Sequence, residues 1–424
     1  MQQSLATRAP FTFGQLSLWR SIQGLPPAAC NLPQIWTLPA ATTVTSVEHA
    51  LETLEERHES LRTRYDSQDE RDLTQVVWAP AAADLEVVEA GGVPDKEAEA
   101  AAERLASDPF DLAVDRPWRA CVVTSDGTPS RLAICFHHIA VDAWAINQLR
   151  EEFLALLDGR VLADAAPTCR ELAAEQWSVA RQNRRKAARS YWQRIFEDAP
   201  AMEKEAHPEA LSTRWARLGS QSAADAANQI AARLNVSIPS VALAAFCRAL
   251  GQHTDRDQLL IAVYANNRSD PRWETLVAAQ NQIVPLLVTL DPAEEFDAFV
   301  LRLHWEAFRS YRHGSYDVDD IVELGRDYGY TGSVNGSFEG SVSGFFRYFF
   351  NYLGLYQQDQ ISADDRIETG TAGRNIGAPL YLQVQDGKAL ICTLRENSAS
   401  VGFDDVTALL LLLQEILLSA APKE

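Results

Sequence analysis

The chain has 424 residues, 46% of them hydrophobic and 23% charged, which is the balance of a globular protein with room for two domains of ordinary size. Its formal charge is −20, from 38 Lys and Arg against 58 Asp and Glu, and this argues against nucleic acid and anionic membranes as partners. No apolar run reaches the roughly 18–20 residues of a membrane helix, and the N-terminus lacks a basic segment followed by an apolar one, so a cytoplasmic protein without a signal peptide is expected. Six cysteines (Cys30, Cys121, Cys135, Cys169, Cys247 and Cys392) lie far apart with no C-x-x-C pair. Neither a disulfide framework nor a metal site is expected from that spacing.

In chain order, Phe11-Thr12-Phe13-Gly14-Gln15-Leu16-Ser17-Leu18-Trp19 reads as an amphipathic turn or helix opening the folded region. Thr45-Ser46-Val47-Glu48 has the form of a capping box, and Val47, Leu51 and Leu54 recur on one helical face behind it. Strands are expected at 74–78 and 85–89, then an Ala/Glu-rich helix from about Lys96. Residues 118–123 and 132–136 read as a strand pair around Ser125-Asp126-Gly127-Thr128. A helix begins near Ala143 and ends near Gly159. Residues 161–168 are rich in Ala, Asp and Pro without periodicity, which makes them the expected linker between residues 1–165 and 166–424.

One long helix is expected over 169–196, with Trp177, Tyr191 and Trp192 and a basic set of Arg181, Arg184, Arg185, Lys186, Arg189 and Arg194. Further helices are expected at 222–234, 238–252 and 297–311, with buried strands at 259–263 and 283–290. Asn266-Asn267-Arg268-Ser269-Asp270-Pro271 reads as a loop, and residues 330–343 as a mobile one. An aromatic strand at 345–352, a hairpin of 380–384 with 389–394, and a helix over 404–418 complete the chain.

The chemistry concentrates at Ile134-Cys135-Phe136-His137-His138-Ile139-Ala140-Val141-Asp142-Ala143-Trp144. A buried strand there ends in two adjacent imidazoles, and a carboxylate follows, so titratable groups sit at the mouth of a sheet. His137-His138 with Asp142 and Trp144 resembles the signature of condensation domains from nonribosomal peptide synthetases. Other blocks of that family follow in order. They are Gly14-Gln15 with Leu18-Trp19, Asn31-Leu32-Pro33, Arg57-His58-Glu59-Ser60-Leu61-Arg62-Thr63, Asp108-Pro109-Phe110-Asp111-Leu112 and Tyr191-Trp192, so the resemblance covers nearly the whole chain. It departs at Ala143, where the family has glycine, at Ala278-Ala279-Gln280-Asn281-Gln282-Ile283, where the family tends to Gly-x-Phe-Val-Asn-Thr, and at His313-Gly314-Ser315-Tyr316-Asp317.

The resemblance implies an α/β (α+β) fold of two chloramphenicol-acetyltransferase-like lobes, a V-shaped pseudo-dimer with the histidines in a central tunnel. It implies a monomeric acyltransferase that makes amides or esters in natural-product or antibiotic biosynthesis. Its partners would be peptidyl or acyl carrier proteins and a small amine or alcohol acceptor, with phosphopantetheine on the carriers and no intrinsic cofactor. By the same resemblance the catalytic pair is His138, the base or anchor for the nucleophile, and His137, assigned to orienting the loop. Asp142 forms a structural ion pair with Arg62, and Ala143 and Trp144 complete the support.

No serine or cysteine elbow marks a covalent nucleophile, and adjacent histidines on a strand end point different ways, which suits no metal. Arg181, Arg184, Arg185 and Arg189 are either a carrier-docking face or a solvated helix side. Nothing before Phe11 or after Leu418 has the length of a carrier or adenylation domain, so a stand-alone enzyme is expected. The alternatives are an inactive module that recruits a tailoring enzyme, and an acyltransferase using coenzyme A directly.

Overall fold

The computed structural model describes residues 7–23, 25–66, 73–162, 165–199, 213–330, 340–354, 364–372, 378–397 and 406–421. The chain folds as two compact units, one of residues 1–183 with 267–281 and one of residues 184–266 with 282–424.

The first unit runs β1 (Thr7–Pro10), α1 (Phe13–Ile22), β2 (Asn31–Thr37), α2 (Val44–Arg57), β3 (Thr63–Asp66), β4 (Thr74–Val77) and β5 (Leu85–Glu89). It continues with α3 (Pro94–Ser107), β6 (Trp118–Ser125), β7 (Thr128–His137), α4 (Ala143–Leu157) and α5 (Cys169–Trp177). Among the described residues its strands form a four-stranded sheet in the order β2-β7-β6-β5 and a three-stranded one, β1-β4-β3. The strands β5 and β6 are parallel because α3 crosses between them, whereas β6 and β7 are an antiparallel hairpin. The hairpin turns on Asp126 and Gly127, with φ of 52° and 72°, the left-handed pair that matches strand twist in a two-residue loop.

Alternation along β7 shows why its run of apolar residues is unbroken. Leu132, Ile134 and Phe136 pack with Trp36, Leu51 and Phe153 on one face, while Ala133 and Cys135 pack with Ala101, Ala102 and Leu105 on the other. Helices cover both faces of the strand, so both periods of the pleat are apolar. Each large side chain fully buried there contributes about 1.5–3 kcal/mol. That packing fixes where β7 ends, and therefore where the histidines stand.

Several expectations need correction. The cap of α2 is Thr43, whose hydroxyl accepts the Ser46 N–H at 3.1 Å while Ser46 Oγ accepts the Thr43 N–H at 3.0 Å. Thr45 already lies inside the helix, so the box sits two residues ahead of the expected one. The long helix over 169–196 is broken into α5, a 3-10 turn at Val179–Arg181 and α6 (Gln182–Asp198). Ser178 is extended at the break, and its hydroxyl donates to the Glu175 carbonyl at 2.7 Å, a local bond that competes with the helix ladder. The compact units also differ from a division at 165/166. The chain changes unit inside α6, and residues 267–281 return to the first unit, where Trp273, Leu276 and Ala278 pack on Cys169 and Leu172.

The second unit holds the rest of α6, β8 (Thr213–Ser220), α7 (Gln221–Leu234), α8 (Ile238–Thr254), β9 (Gln258–Ala265), β10 (Gln282–Thr289), α9 (Phe296–Tyr311) and α10 (Val318–Asp327). After these come β11 (Tyr348–Tyr352), β12 (Asp364–Ala372), β13 (Leu380–Gln385), β14 (Leu390–Asn397) and α11 (Val406–Ala420). Among the described residues its strands form one seven-stranded sheet, ordered β10-β9-β11-β13-β14-β8-β12. The strand β11 is parallel to both neighbours, and β13 with β14 is the expected antiparallel hairpin. Pro285 is tolerated because β10 lies at an edge. The aromatic strand starts later than expected, a 3-10 turn occupying Val342–Phe345. The loop expected over 330–343 falls mostly outside the described residues. No single helix among the described residues is long and apolar enough to cross a membrane.

Candidate active site

His137 is the last residue of β7, opposite Asn31 in the register, and only 3% exposed. The Phe110 ring meets its imidazole edge-on at 5.9 Å. Its Nδ1 accepts the Ile139 N–H at 3.1 Å, so the proton of the neutral ring resides on Nε2. Burial, reinforced by the neighbouring His138, pushes its pKa down to about 3. A neutral ring that accepts a backbone N–H two residues on is a brace for the loop.

His138 is held differently. Its backbone N–H donates to the Cys30 carbonyl at 2.9 Å, and its Nδ1 lies 2.7 Å from the Val141 carbonyl oxygen. A carbonyl can only accept, so Nδ1 carries the proton and the lone pair of the neutral ring is on Nε2. Among the described residues no hydrogen bond reaches that nitrogen. The side chain is half-buried, and the arrangement can take a proton at Nε2 without first breaking an internal bond.

Asp142 is the N-cap of α4 and 3% exposed. Its carboxylate receives four N–H groups: Ala145 N–H at 3.0 Å and Arg268 Nη2 at 2.9 Å on Oδ1, then Arg268 Nη1 at 2.7 Å and Gln280 N–H at 3.0 Å on Oδ2. The Arg268 fork is bidentate, the geometry in which guanidinium binds carboxylate most strongly. The expected Arg62–Asp142 pair is therefore corrected. Arg62 donates through Nε to the Glu55 carbonyl at 3.0 Å and through Nη1 to the Trp78 carbonyl at 2.6 Å, tying the end of α2 to the residue after β4. Asp142 has no lone pair left for it. His58, from the same block as Arg62, is structural too, with Nε2 2.6 Å from Glu152 Oε2.

Residues 267–281 are strapped along α4 by more than the ion pair. Trp144 Nε1 donates to the Glu274 carbonyl at 3.0 Å, and Gln148 Nε2 to the Thr275 carbonyl at 2.8 Å. Ala143, half-buried at the start of α4, follows the cap directly. Gly14 lies against the same segment, since a Cβ built there would stand 2.1 Å from the Ala279 carbonyl oxygen. Arg268, Gln280 and Gly14 thus belong to the support of the motif; Gly14 and Gln280 fall within blocks compared with the family, and Arg268 only within a polar loop. Of the arginines expected to dock a carrier, Arg181 pairs with Glu175 and lies in the first unit, whereas Arg184, Arg185 and Arg189 lie in the second.

The condensation-domain family model matches residues 9–341. The chain belongs to the condensation-domain family. Members of this family form amide or ester bonds on substrates held by carrier domains. Among curated relatives, N-(5-amino-5-carboxypentanoyl)-L-cysteinyl-D-valine synthase of Amycolatopsis lactamdurans is 28% identical over 305 residues, which cover 70% of this chain and 8% of that one. Beauvericin nonribosomal cyclodepsipeptide synthetase of Beauveria bassiana is 24% identical over 312 residues, covering 69% of this chain and 10% of its own length. This condensation domain thus matches no more than a tenth of either relative.

Among solved structures, the condensation domain that mediates chain release from the enacyloxin polyketide synthase matches all of this chain and 85% of its own, with a TM-score of 0.81 at 22% identity. The SgcC5 protein of Streptomyces globisporus, bound to a naphthyl ethanediol, matches 98% of this chain and 100% of its own, with a TM-score of 0.75 at 17% identity. These likenesses show the mixed, chloramphenicol-acetyltransferase-like fold that the sequence motifs imply.

Proposed function

We propose that this condensation domain joins an acyl group, delivered as a thioester on the phosphopantetheine of a carrier protein, to an amine or hydroxyl acceptor. The observation that carries the reading is His138, whose Nδ1–H is committed to the Val141 carbonyl at 2.7 Å and whose Nε2 is thereby the proton acceptor. An acceptor N–H or O–H donates to Nε2 as its heteroatom attacks the thioester carbonyl. The new C–N or C–O bond forms, the C–S bond breaks, and the proton taken by His138 passes to the departing thiolate. General-base help of this kind is worth about 10²–10⁴-fold, and holding the two substrates together lowers the barrier further.

The other polar groups of the motif have different work. His137 is neutral and occupied, and Asp142 spends both oxygens on Arg268, Gln280 and Ala145. Since His138 Nδ1 donates to a backbone carbonyl, Asp142 is no relay to it. It fixes the helix start and the loop that aims the imidazole.

The test is product formation, followed by mass spectrometry, from loaded carrier proteins, acyl-coenzyme A and short thioesters with candidate amines and alcohols. Wild type is expected to form product from carrier-bound donors, and His138→Ala to lose it while melting unchanged. Equal use of acyl-coenzyme A would replace carriers as the donor. If wild type forms product from no donor yet binds a tailoring protein tightly, a recruitment role replaces catalysis.

A further inference from the structure

In the second unit, two helices build a surface that the chain itself leaves unanswered. Arg184, Arg189 and Arg194 on α6, with Arg309 and Arg312 at the end of α9, have no carboxylate within ion-pair distance among the described residues. Other arginines of this acid-rich chain do: Arg302, on the same α9, holds Glu294 at 2.7 Å and Glu306 at 3.2 Å, and Arg233 holds Asp297 at 2.6 Å. The two arms of the patch are locked together. Tyr191 of α6 stacks on His313 at 4.6 Å and 8°, and its hydroxyl donates to the Pro285 carbonyl at 2.8 Å. Arg184, Arg194 and Arg312 stand close enough to His313 to add to the effect of its burial on proton affinity.

Beside the arginines runs an apolar stripe. Leu301, Trp305 and Phe308 recur at i, i+4 and i+7 on α9 and are 38%, 57% and 53% exposed. The core side of the same helix is already filled by Phe299, Val300, Leu303 and Ala307, so α9 has a second apolar face turned to solvent. One turn on, Arg309 follows Trp305 and Arg312 follows Phe308. Exposed aromatics beside arginines are the composition of interface hot spots rather than of a solvated helix.

We propose that this face of α6 and α9 is the docking surface for the carrier protein that brings a substrate, a partner with an acidic, helical surface. Charge complementarity argues for that occupant. At −20 the chain as a whole repels an acidic protein, so association needs a local positive face to steer it, and Trp305 with Phe308 supplies the apolar centre. The proposal rests on the condensation reading; of the expected docking arginines it keeps Arg184 and Arg189, and it adds Arg194, Arg309 and Arg312.

The test measures binding first, since binding is independent of turnover. The full chain is titrated with the phosphopantetheine-bearing form of an acidic nonribosomal-peptide-synthetase carrier domain, and Kd is read by calorimetry at low and high salt. Arg184→Glu with Arg312→Glu is expected to weaken Kd by about tenfold or more, and wild-type affinity to fall as salt rises. Arg184→Lys with Arg312→Lys should stay near wild type, and Glu→Lys changes on the carrier should restore affinity to the Glu variant. Trp305→Ala is expected to weaken binding at either salt. Absence of wild-type carrier binding, or equal binding by wild type and the Glu variant, overturns the proposal. Turnover of an acyl-N-acetylcysteamine thioester, which has no protein to dock, reports separately on the condensation reading. Failure there with carrier binding intact sinks the catalytic reading and leaves the docking surface standing.

Discussion

Arg268, in the loop after β9, and Arg312, at the end of α9, are the same cation on the same acidic chain, used in opposite ways. Arg268 is 7% exposed and spends both terminal nitrogens on one carboxylate. Arg312 is exposed, with no carboxylate beside it among the described residues. Desolvation makes the first arrangement unforgiving, because removing either partner leaves a buried charge alone. The second is cheap to change and sensitive to salt. Burial, more than residue type, decides whether a guanidinium holds the fold or stays available to a partner. Damage at the motif should therefore appear as lost chemistry or lost stability, and damage at the α6/α9 face as lost affinity alone.

That contrast is best challenged first at His138. Replacing it with Ala should lower single-turnover product formation by about 10²–10⁴-fold with an unchanged melting temperature. A smaller loss would make His138 another brace, like His137. Next, Arg268→Ala should cost about 3–5 kcal/mol in urea unfolding. Arg62→Ala should cost less, about 1–3 kcal/mol, since it leaves only two carbonyls short of a partner. The reverse order would restore Arg62 as the partner of Asp142.

Gly14→Ala comes third. Its methyl would enter the Ala279 carbonyl, so the strap must shift, at about 1–3 kcal/mol by thermal unfolding. An unchanged melting temperature would mean that residues 267–281 yield freely and do not hold the motif. The smallest effect is a pH slope. His137 titrates near 3 in the folded chain and near 6.5 unfolded, so the unfolded chain binds the extra proton between those values. Stability from this group is present above about pH 6.5 and falls by about 1.4 kcal/mol per pH unit as pH drops toward 3. His137→Gln should flatten that acid limb when unfolding is followed from pH 7 to pH 4. A parallel limb would mean that the ring is not buried neutral.

Much of this was legible because its causes are local. Asp126-Gly127 demanded a tight hairpin, the apolar run before His137 demanded a doubly covered strand, and His137-His138 with Asp142 carried the family. What escaped reading depends on distance or on a single bond. Arg268 stands in a polar loop 126 residues from Asp142, and no periodicity links them. Ser178 interrupts a helix whose apolar pattern continues on both sides; its extended backbone and its hydroxyl bond to the Glu175 carbonyl leave no periodic signal. The tautomer of His138 follows from a carbonyl three residues on, which composition cannot reveal.

The return of residues 267–281 to the first unit also has a consequence during synthesis. Asp142 leaves the ribosome 126 residues ahead of Arg268, so at about 5–20 residues per second it waits on the order of ten seconds for its counter-ion. Until then the cap of α4 has neither Arg268 nor the Gln280 N–H, and the strap that Gly14 receives does not exist. The nascent first unit must either leave that carboxylate in water or protonate it. Maturation of the histidine loop is accordingly a late step, set by chain elongation and not by the strand that carries the histidines.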